Sequence, residues 1–466
     1  MSTPDHGSDE GRTTFLPTEI PYPSSARAWF TVGVLMVIYV FSFIDRTILN
    51  LLVTPIKADL NISDKQISYL MGFSFALFYT IFGLPIGRLA DRINRKGIIA
   101  VGLLIWTAAT GGCGLVKHYW QFLILRVGVG VGEAALSPSA YSLITDSFPK
   151  GKLARALSVY SMGIFIGAGI AVGVGGGVAE WAERRGPVDL GPLGTVFPWQ
   201  IAFIVIGVVG LAPLLLLLLI REPVRRGVRM IKSADGKEQV ASVPIPEVAA
   251  YIFANRKTFL CHHLGFSILA FSSYGVGAWG AEFMRRTHGW GPGQIGFYFM
   301  IHVIGAGCLG IMTGGVICDW LAKRGRTDAP MIVGLLASAL WIPTGIMYPI
   351  VSNGWLAWGF MIPTYFFTAF ATGVAAAAIQ QIVPNAMRGQ ASASYLFFVN
   401  LIGLGLGPTG VAIITDDVFK DESMLRYSIL IVGIGCHTVA IFLFLLGMKP
   451  FRQSVQYLKE WEEKNL

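Results

Sequence analysis

The segment Gly87-Arg-Leu-Ala-Asp91-Arg92-Ile-Asn94-Arg95-Lys96 sets five charged residues into a chain that is apolar for long distances on either side. It returns in altered form as Gly315-Val-Ile-Cys-Asp319-Trp-Leu-Ala-Lys323-Arg324. In both copies a glycine is followed four residues on by aspartate and then by basic residues. Working outward, apolar runs of about 20 residues, the length a helix needs to cross the hydrocarbon, centre near Ile38, Ala76, Leu104, Gly130, Gly167 and Ile206. They resume near Leu269, Gly305, Ala337, Tyr365, Gly403 and Gly435. The first charged copy follows the second run and the other follows the eighth, so the same loop closes the same hairpin in each half. The longest polar stretch, Arg221 to Lys257, divides the runs six plus six.

Composition agrees with this reading. The chain of 466 residues is 54% apolar and 14% charged, whereas about a quarter is usual for a water-soluble domain. Such a surface calls for lipid around it. Its net charge of +9 is spread between the apolar runs rather than gathered in one stripe, which argues against a nucleic-acid partner. Cys113, Cys261, Cys308, Cys318 and Cys436 stand singly in apolar stretches and read as small core residues. The expected division is a disordered cytoplasmic tail over 1–25, a first six-helix bundle over 26–220, a cytoplasmic linker over 221–257, a second bundle over 258–448 and a cytoplasmic tail over 449–466. In that last tail Val455, Leu458 and Trp461 recur every third residue, as in a helix at a membrane interface. With both termini cytoplasmic, about 25 of the 36 Lys and Arg residues fall in inner segments, the bias that short loops of a polytopic protein show.

The duplicated loop resembles the repeated motif of the major facilitator superfamily, with Asn94 standing where a glycine is common. The resemblance covers nearly the whole chain and implies twelve transmembrane helices in two pseudo-symmetric six-helix bundles, an all-α membrane protein. Three segments narrow it: Phe-Ile-Asp45-Arg46-Thr in the first run, the loop just quoted, and Leu125-Arg126-Val-Gly128-Val-Gly130-Val-Gly132-Glu133-Ala134 in the fourth. Together they look like the Spinster branch, whose animal members carry sphingosine 1-phosphate or lysophospholipids. The absence of large loops favours a bacterial inner membrane. Read as a latch, Asp91 faces the start of the eleventh span near Arg388, and Asp319 does the same in the other half, a helix-dipole contact. Arg92, Arg95, Lys96, Lys323 and Arg324 either join this gate or only set topology.

Ionisable groups inside a membrane are costly, which marks them for function. Arg126 and Glu133, seven residues apart, fall on one helix face. Asp45 and Arg46 are adjacent, so one of them faces a cavity squarely. The family arrangement brings these two acids and two arginines together. Asp45 and Glu133 are then the proton-coupling groups, and Arg46 and Arg126 the head-group ligands, since a guanidinium released by a protonated acid holds an anion at two points. The alternative is a structural ion-pair network between two helices. Across the cavity, Ser273 and Tyr274 of the seventh run and Tyr365, Thr368 and Thr372 of the tenth offer hydroxyl and aromatic surface suited to an amphiphile. His262 is either a proton carrier or a hydrogen-bonded bundle residue.

Gly-x-x-x-x-Gly-Lys-Ser/Thr does not occur, so transport is secondary. The acids lack metal-ligand spacing and no nucleophile–base set can be argued, so no enzyme, cofactor or metal is expected. The leading expectation is a monomeric, proton-coupled, alternating-access carrier of an amphiphilic lipid-like anion. The alternatives are a carrier of a small organic anion or drug, and an uncoupled receptor or lipid-conducting scaffold.

Overall fold

The structure, a computed structural model, describes residues 21–90, 93–189, 195–225, 230–232, 238–240, 243–384 and 387–465. Among them, twelve helices are long and apolar enough to cross a membrane. The first six are Ser25–Leu51, Asp64–Ala90, Arg95–Cys113, Tyr119–Ser147, Val159–Trp181 and Pro198–Leu219. The other six are Arg256–His288, Pro292–Lys323, Ala329–Ile350, Gly354–Gln380, Arg388–Phe419 and Glu422–Glu463. Helix is the natural state for such runs, because lipid offers no partner to a free backbone N–H or C=O. An even number of spans leaves both chain ends on one face, called here the termini end. The opposite face is the far end.

Several spans depart from regular helix, and the departures place the site. Pro138 has no N–H for the carbonyl of Ala134, and the fourth span breaks there into Tyr119–Glu133 and Leu136–Ser147. Glu133 therefore ends the first segment. The first span is α-helical only to Thr47 and finishes as the 3-10 turn Ile48–Leu51. The second passes through a π turn at Tyr69–Phe73, and the eleventh through another at Val399–Gly405. Such turns release carbonyls from the regular ladder and are frequent at functional sites.

The two bundles meet on small residues. A Cβ on Gly176 would stand 2.4 Å from Pro292 O and 2.7 Å from Gly296 Cα, so the fifth and eighth spans cross with backbones nearly touching. Gly169 and Gly173 admit Ile304 and Met300 along the same seam. Gly72 of the second span lies equally close to Leu404 O of the eleventh. Gly163, Gly167 and Gly175 serve a different neighbour, accepting the first span at Met36, Val40 and Ile48.

The linker holds an antiparallel strand pair, Met230–Lys232 with Glu238–Val240, and the helix Ile245–Ala254. The twelfth span does not yield to a separate tail helix: it runs on through Pro450 to Asn465. Tyr457 and Trp461 lie against Tyr251 of the linker helix at 5.6 and 6.0 Å between rings. The apolar spacing at 455–461 is thus used, at least in part, to cover another helix.

Candidate functional site

Arg46 sits in the last α-helical turn of the first span, one turn after Ser42. Its Nε and Nη2 both stand 2.6 Å from Glu133 Oε2, and Ser42 Oγ donates to the same oxygen at 2.5 Å. Glu133 is 1% exposed, and its second oxygen has no hydrogen-bond partner among the described residues. The Arg46 side chain is 13% exposed. Its guanidinium lies 4.5 Å from the Phe75 ring centre and 5.0 Å from those of Phe43 and Tyr79, within cation–π range. Tyr274 reaches across from the seventh span into electrostatic range of it.

The neighbouring pair is arranged differently. The Asp45 carboxylate turns away from Arg46 and accepts from Thr110 Oγ1 of the third span at 3.2 Å. Arg126 is fully buried and spends its guanidinium on backbone: Nε donates to Leu70 O at 3.0 Å and Nη1 to Asp45 O at 3.2 Å. Leu70 belongs to the π turn of the second span, and Asp45 to the last α-helical turn of the first, just ahead of its 3-10 end. The four charged residues do gather, but as one carboxylate–guanidinium pair and one arginine that staples three helices. Sequence spacing put Arg126 and Glu133 on one face without showing that backbone carbonyls would claim Arg126 first. Sealed at 0% exposure, Arg126 is not placed to touch a head group in this state.

A sequence profile of the Major Facilitator Superfamily matches residues 35–408. The chain belongs to that superfamily. Its relatives include an "MFS-type efflux pump" of Mycolicibacterium smegmatis, 28% identical over 92% of this chain and 94% of the relative. "Protein spinster homolog 3" of Danio rerio is 27% identical over 94% of this chain and 86% of its own length. "Protein spinster" of Drosophila melanogaster is 28% identical, with the match spanning 49% of that longer protein. Among solved structures, a bacterial homolog of the human lysosomal transporter Spinster, "in inward-facing and unoccupied conformation", superposes with a TM-score of 0.73 at 25% identity. That superposition covers 93% of this chain and 98% of the other. This facilitator is accordingly a transporter of the Spinster type.

In the second bundle of the facilitator, Tyr365 packs on His302 with rings 4.7 Å apart, and Thr368 Oγ1 accepts from Trp341 Nε1 at 3.1 Å. Thr368 donates in turn to Thr364 O, while Thr372 is exposed and Ser273 half-buried. Asp91 and Arg92 lie outside the described residues. Arg95 is fully buried within its own bundle, where it pairs with Asp146 and, at 3.0 Å, with Glu222, and bonds Ser142 at 2.8 Å. Lys96 Nζ caps the sixth span at Leu218 O and Ile220 O. These two basic residues stitch the third, fourth and sixth spans together and do not reach the other half. Asp319 and Lys323 are exposed, Arg324 stacks 3.8 Å from the Trp320 ring centre, and Arg388 donates to Val383 O and Gln380 O of its own half.

Ion pairs do join the halves, at the far end. Arg286 of the seventh span grips Asp64 of the second at 2.6 and 2.9 Å and holds Glu282 at 2.8 Å. Lys57 bonds Asp64 and reaches Glu422 at 2.6 Å, and Thr54 donates to Glu282 at 2.7 Å. Lys65 adds Asp417 at 2.8 Å through its side chain and Asp416 at 2.7 Å through its backbone. Sequence reasoning passed over this cluster because its charges flank spans, where topology already accounts for them. The signal available was the presence of both signs: Lys57, Asp64 and Lys65 at one hairpin, and Glu282, Arg285 and Arg286 at the end of the seventh run.

Proposed function

We propose that this facilitator moves an amphiphilic lipid-like anion, of the lysophospholipid or sphingoid phosphate class, by proton-coupled alternating access. The observation that carries the reading is the Arg46–Glu133 pair, in which a partly exposed guanidinium is held by a buried carboxylate. While Glu133 is ionised, Arg46 is occupied. Protonation of Glu133 removes the charge that holds it and releases two parallel N–H donors to a phosphate or carboxylate. Asp45, buried beside Arg46 and bonded to Thr110, is the second acid available for a proton. The rings of Phe43, Tyr39, Tyr160 and Tyr141 adjoin one another in sequence, with centres 4.6 to 5.5 Å apart. They lead from Arg46 toward the termini end, where Tyr141 is exposed while Phe43, Tyr39 and Tyr160 are buried behind it.

With the far-end ion pairs made, the access path in this reading opens at the termini end. The Lys and Arg distribution favours a cytoplasmic position for that end, which makes this the inward-open state in the same reading. Breaking the Asp64–Arg286 cluster is then the step that opens the other side. The full-length match to an efflux pump favours a second reading, export of a small amphiphilic drug through the same site.

The test is uptake of labelled lysophospholipid into proteoliposomes with and without an imposed pH gradient. Gradient-stimulated flux that is lost in Glu133→Gln supports the proposal. Flux that ignores the gradient in the unaltered protein overturns the coupling. Drug flux without lipid flux selects the second reading.

A further inference from the structure

One helix outside the twelve spans is apolar on every side. Ile245–Ala254 of the linker reads Ile-Pro-Glu-Val-Ala-Ala-Tyr-Ile-Phe-Ala, with Glu247 its one charged residue. Its inner face is occupied by protein. Val248 and Tyr251 are buried, and Tyr251 Oη donates to Ile382 O, just past the tenth span, at 2.9 Å. Tyr457 and Trp461 of the twelfth span close the same side. Just ahead of the helix, Val243 O accepts from Gln390 Nε2 of the eleventh span at 2.7 Å.

At about 100° per residue, Ile245, Ala249, Ala250 and Phe253 fall on the opposite face, and Glu247 lies off it. All four are exposed, Ile245 at 57% and Phe253 at 68%. A linker helix bathed in water carries polar residues on its outer face, whereas one that is hydrophobic all round is covered.

The chain that follows indicates the cover. Asn255 alone joins this helix to the seventh span, which opens with Arg256 and Lys257, both exposed. The Arg256 guanidinium lies 5.0 Å from the Phe253 ring centre. One turn on, Leu260 is 59% exposed. It stands nearly opposite His262, which bonds Ala375 O of the tenth span. Cys261 packs on Gly447 of the twelfth span and Gly275 on Gly407 of the eleventh. Leu260 and Lys257 therefore look outward between the eleventh and twelfth spans, the side that lipid touches. Two cations at the mouth of a lipid-facing groove, beside an uncovered apolar helix face, complement an acidic bilayer surface in both charge and polarity.

We propose that helix Ile245–Ala254 lies in the leaflet at the termini end, with Ile245, Ala249, Ala250 and Phe253 at the acyl boundary and Arg256 and Lys257 on acidic lipid headgroups. Through Tyr251 and Val243 the same helix holds the neighbouring ends of the tenth and eleventh spans, so it moors the second bundle to that leaflet. Nothing in this depends on the cargo.

The experiment places spin labels at Phe253→Cys and Ala249→Cys in the full chain, with the native cysteines replaced, in nanodiscs of phosphatidylcholine alone or mixed with phosphatidylglycerol. Collision with oxygen, which concentrates in hydrocarbon, is compared with collision with a water-soluble nickel chelate. The expected result is that oxygen dominates at both sites, that phosphatidylglycerol moves both labels deeper, and that this shift is lost in the double variant Arg256→Gln and Lys257→Gln. Nickel dominating at either site would overturn the proposal, since the face would then be in water. Labels shielded from both reagents would overturn it as well, by showing that protein covers the face. A depth indifferent to phosphatidylglycerol would remove the acidic headgroups from it. Both labelled positions are exposed, and either label alone decides between lipid, water and protein if the other variant fails to fold.

Discussion

Replacing Asp64 by Asn should open the far end. The carboxylate has 0% side-chain exposure and receives two bonds from Arg286 and one from Lys57. The amide keeps the shape but cancels the charge, leaving Arg286 with Glu282 and Lys57 with the 60%-exposed Glu422. Breaking one member out of a buried ion-pair cluster costs about 3 kcal/mol at the lower end of the usual range, and that end applies because both cations keep a partner. At about 1.4 kcal/mol per tenfold, the ratio of far-end-closed to far-end-open molecules falls roughly 100-fold. The assay is electron–electron distance measurement between spin labels at Ala58→Cys and Val418→Cys, both exposed far-end positions, with the five native cysteines replaced. A second, longer distance population should appear in Asp64→Asn. An unchanged single distance would refute the reasoning and show that the glycine seams at Gly72 and Gly176 hold that end shut without the charges.

Arg95→Ala leaves Asp146 and Glu222 without their shared cation; it should lower thermal stability in detergent by the equivalent of about 3 kcal/mol while leaving the far-end distance unaltered. Gly176→Val drives two methyls into the backbone of the eighth span and should cost about 1–3 kcal/mol, read as a lower melting temperature and weakened transport. Asp59, outside the spans, accepts from Trp199 Nε1 at 3.1 Å, and partial burial raises its carboxyl above the usual value. The folded state then holds that proton more tightly than the unfolded chain, so stability falls as pH rises from the ordinary carboxylate range through the raised value. Asp59→Asn should flatten that part of the melting-temperature profile.

The sequence determined the number of spans, their division six plus six and the marking of Asp45, Arg46, Arg126 and Glu133 as costly buried charges, because lipid imposes a length on each helix and a high cost on each buried charge; their meeting in one region was implied by the family resemblance. Those constraints act residue by residue and survive without coordinates. It did not determine who bonds whom. Arg126 went to Leu70 O, in the π turn of the second span, and to Asp45 O, just ahead of the 3-10 end of the first, and no residue pattern announced that those carbonyls would take it. Arg95 and Lys96 looked like gate residues by motif, yet packing committed them inside one bundle. The working contacts between halves came from charges at the far end that topology alone explained. Pairing depends on which helix faces meet and on which of the alternating states is populated, and both are properties of the assembled bundles.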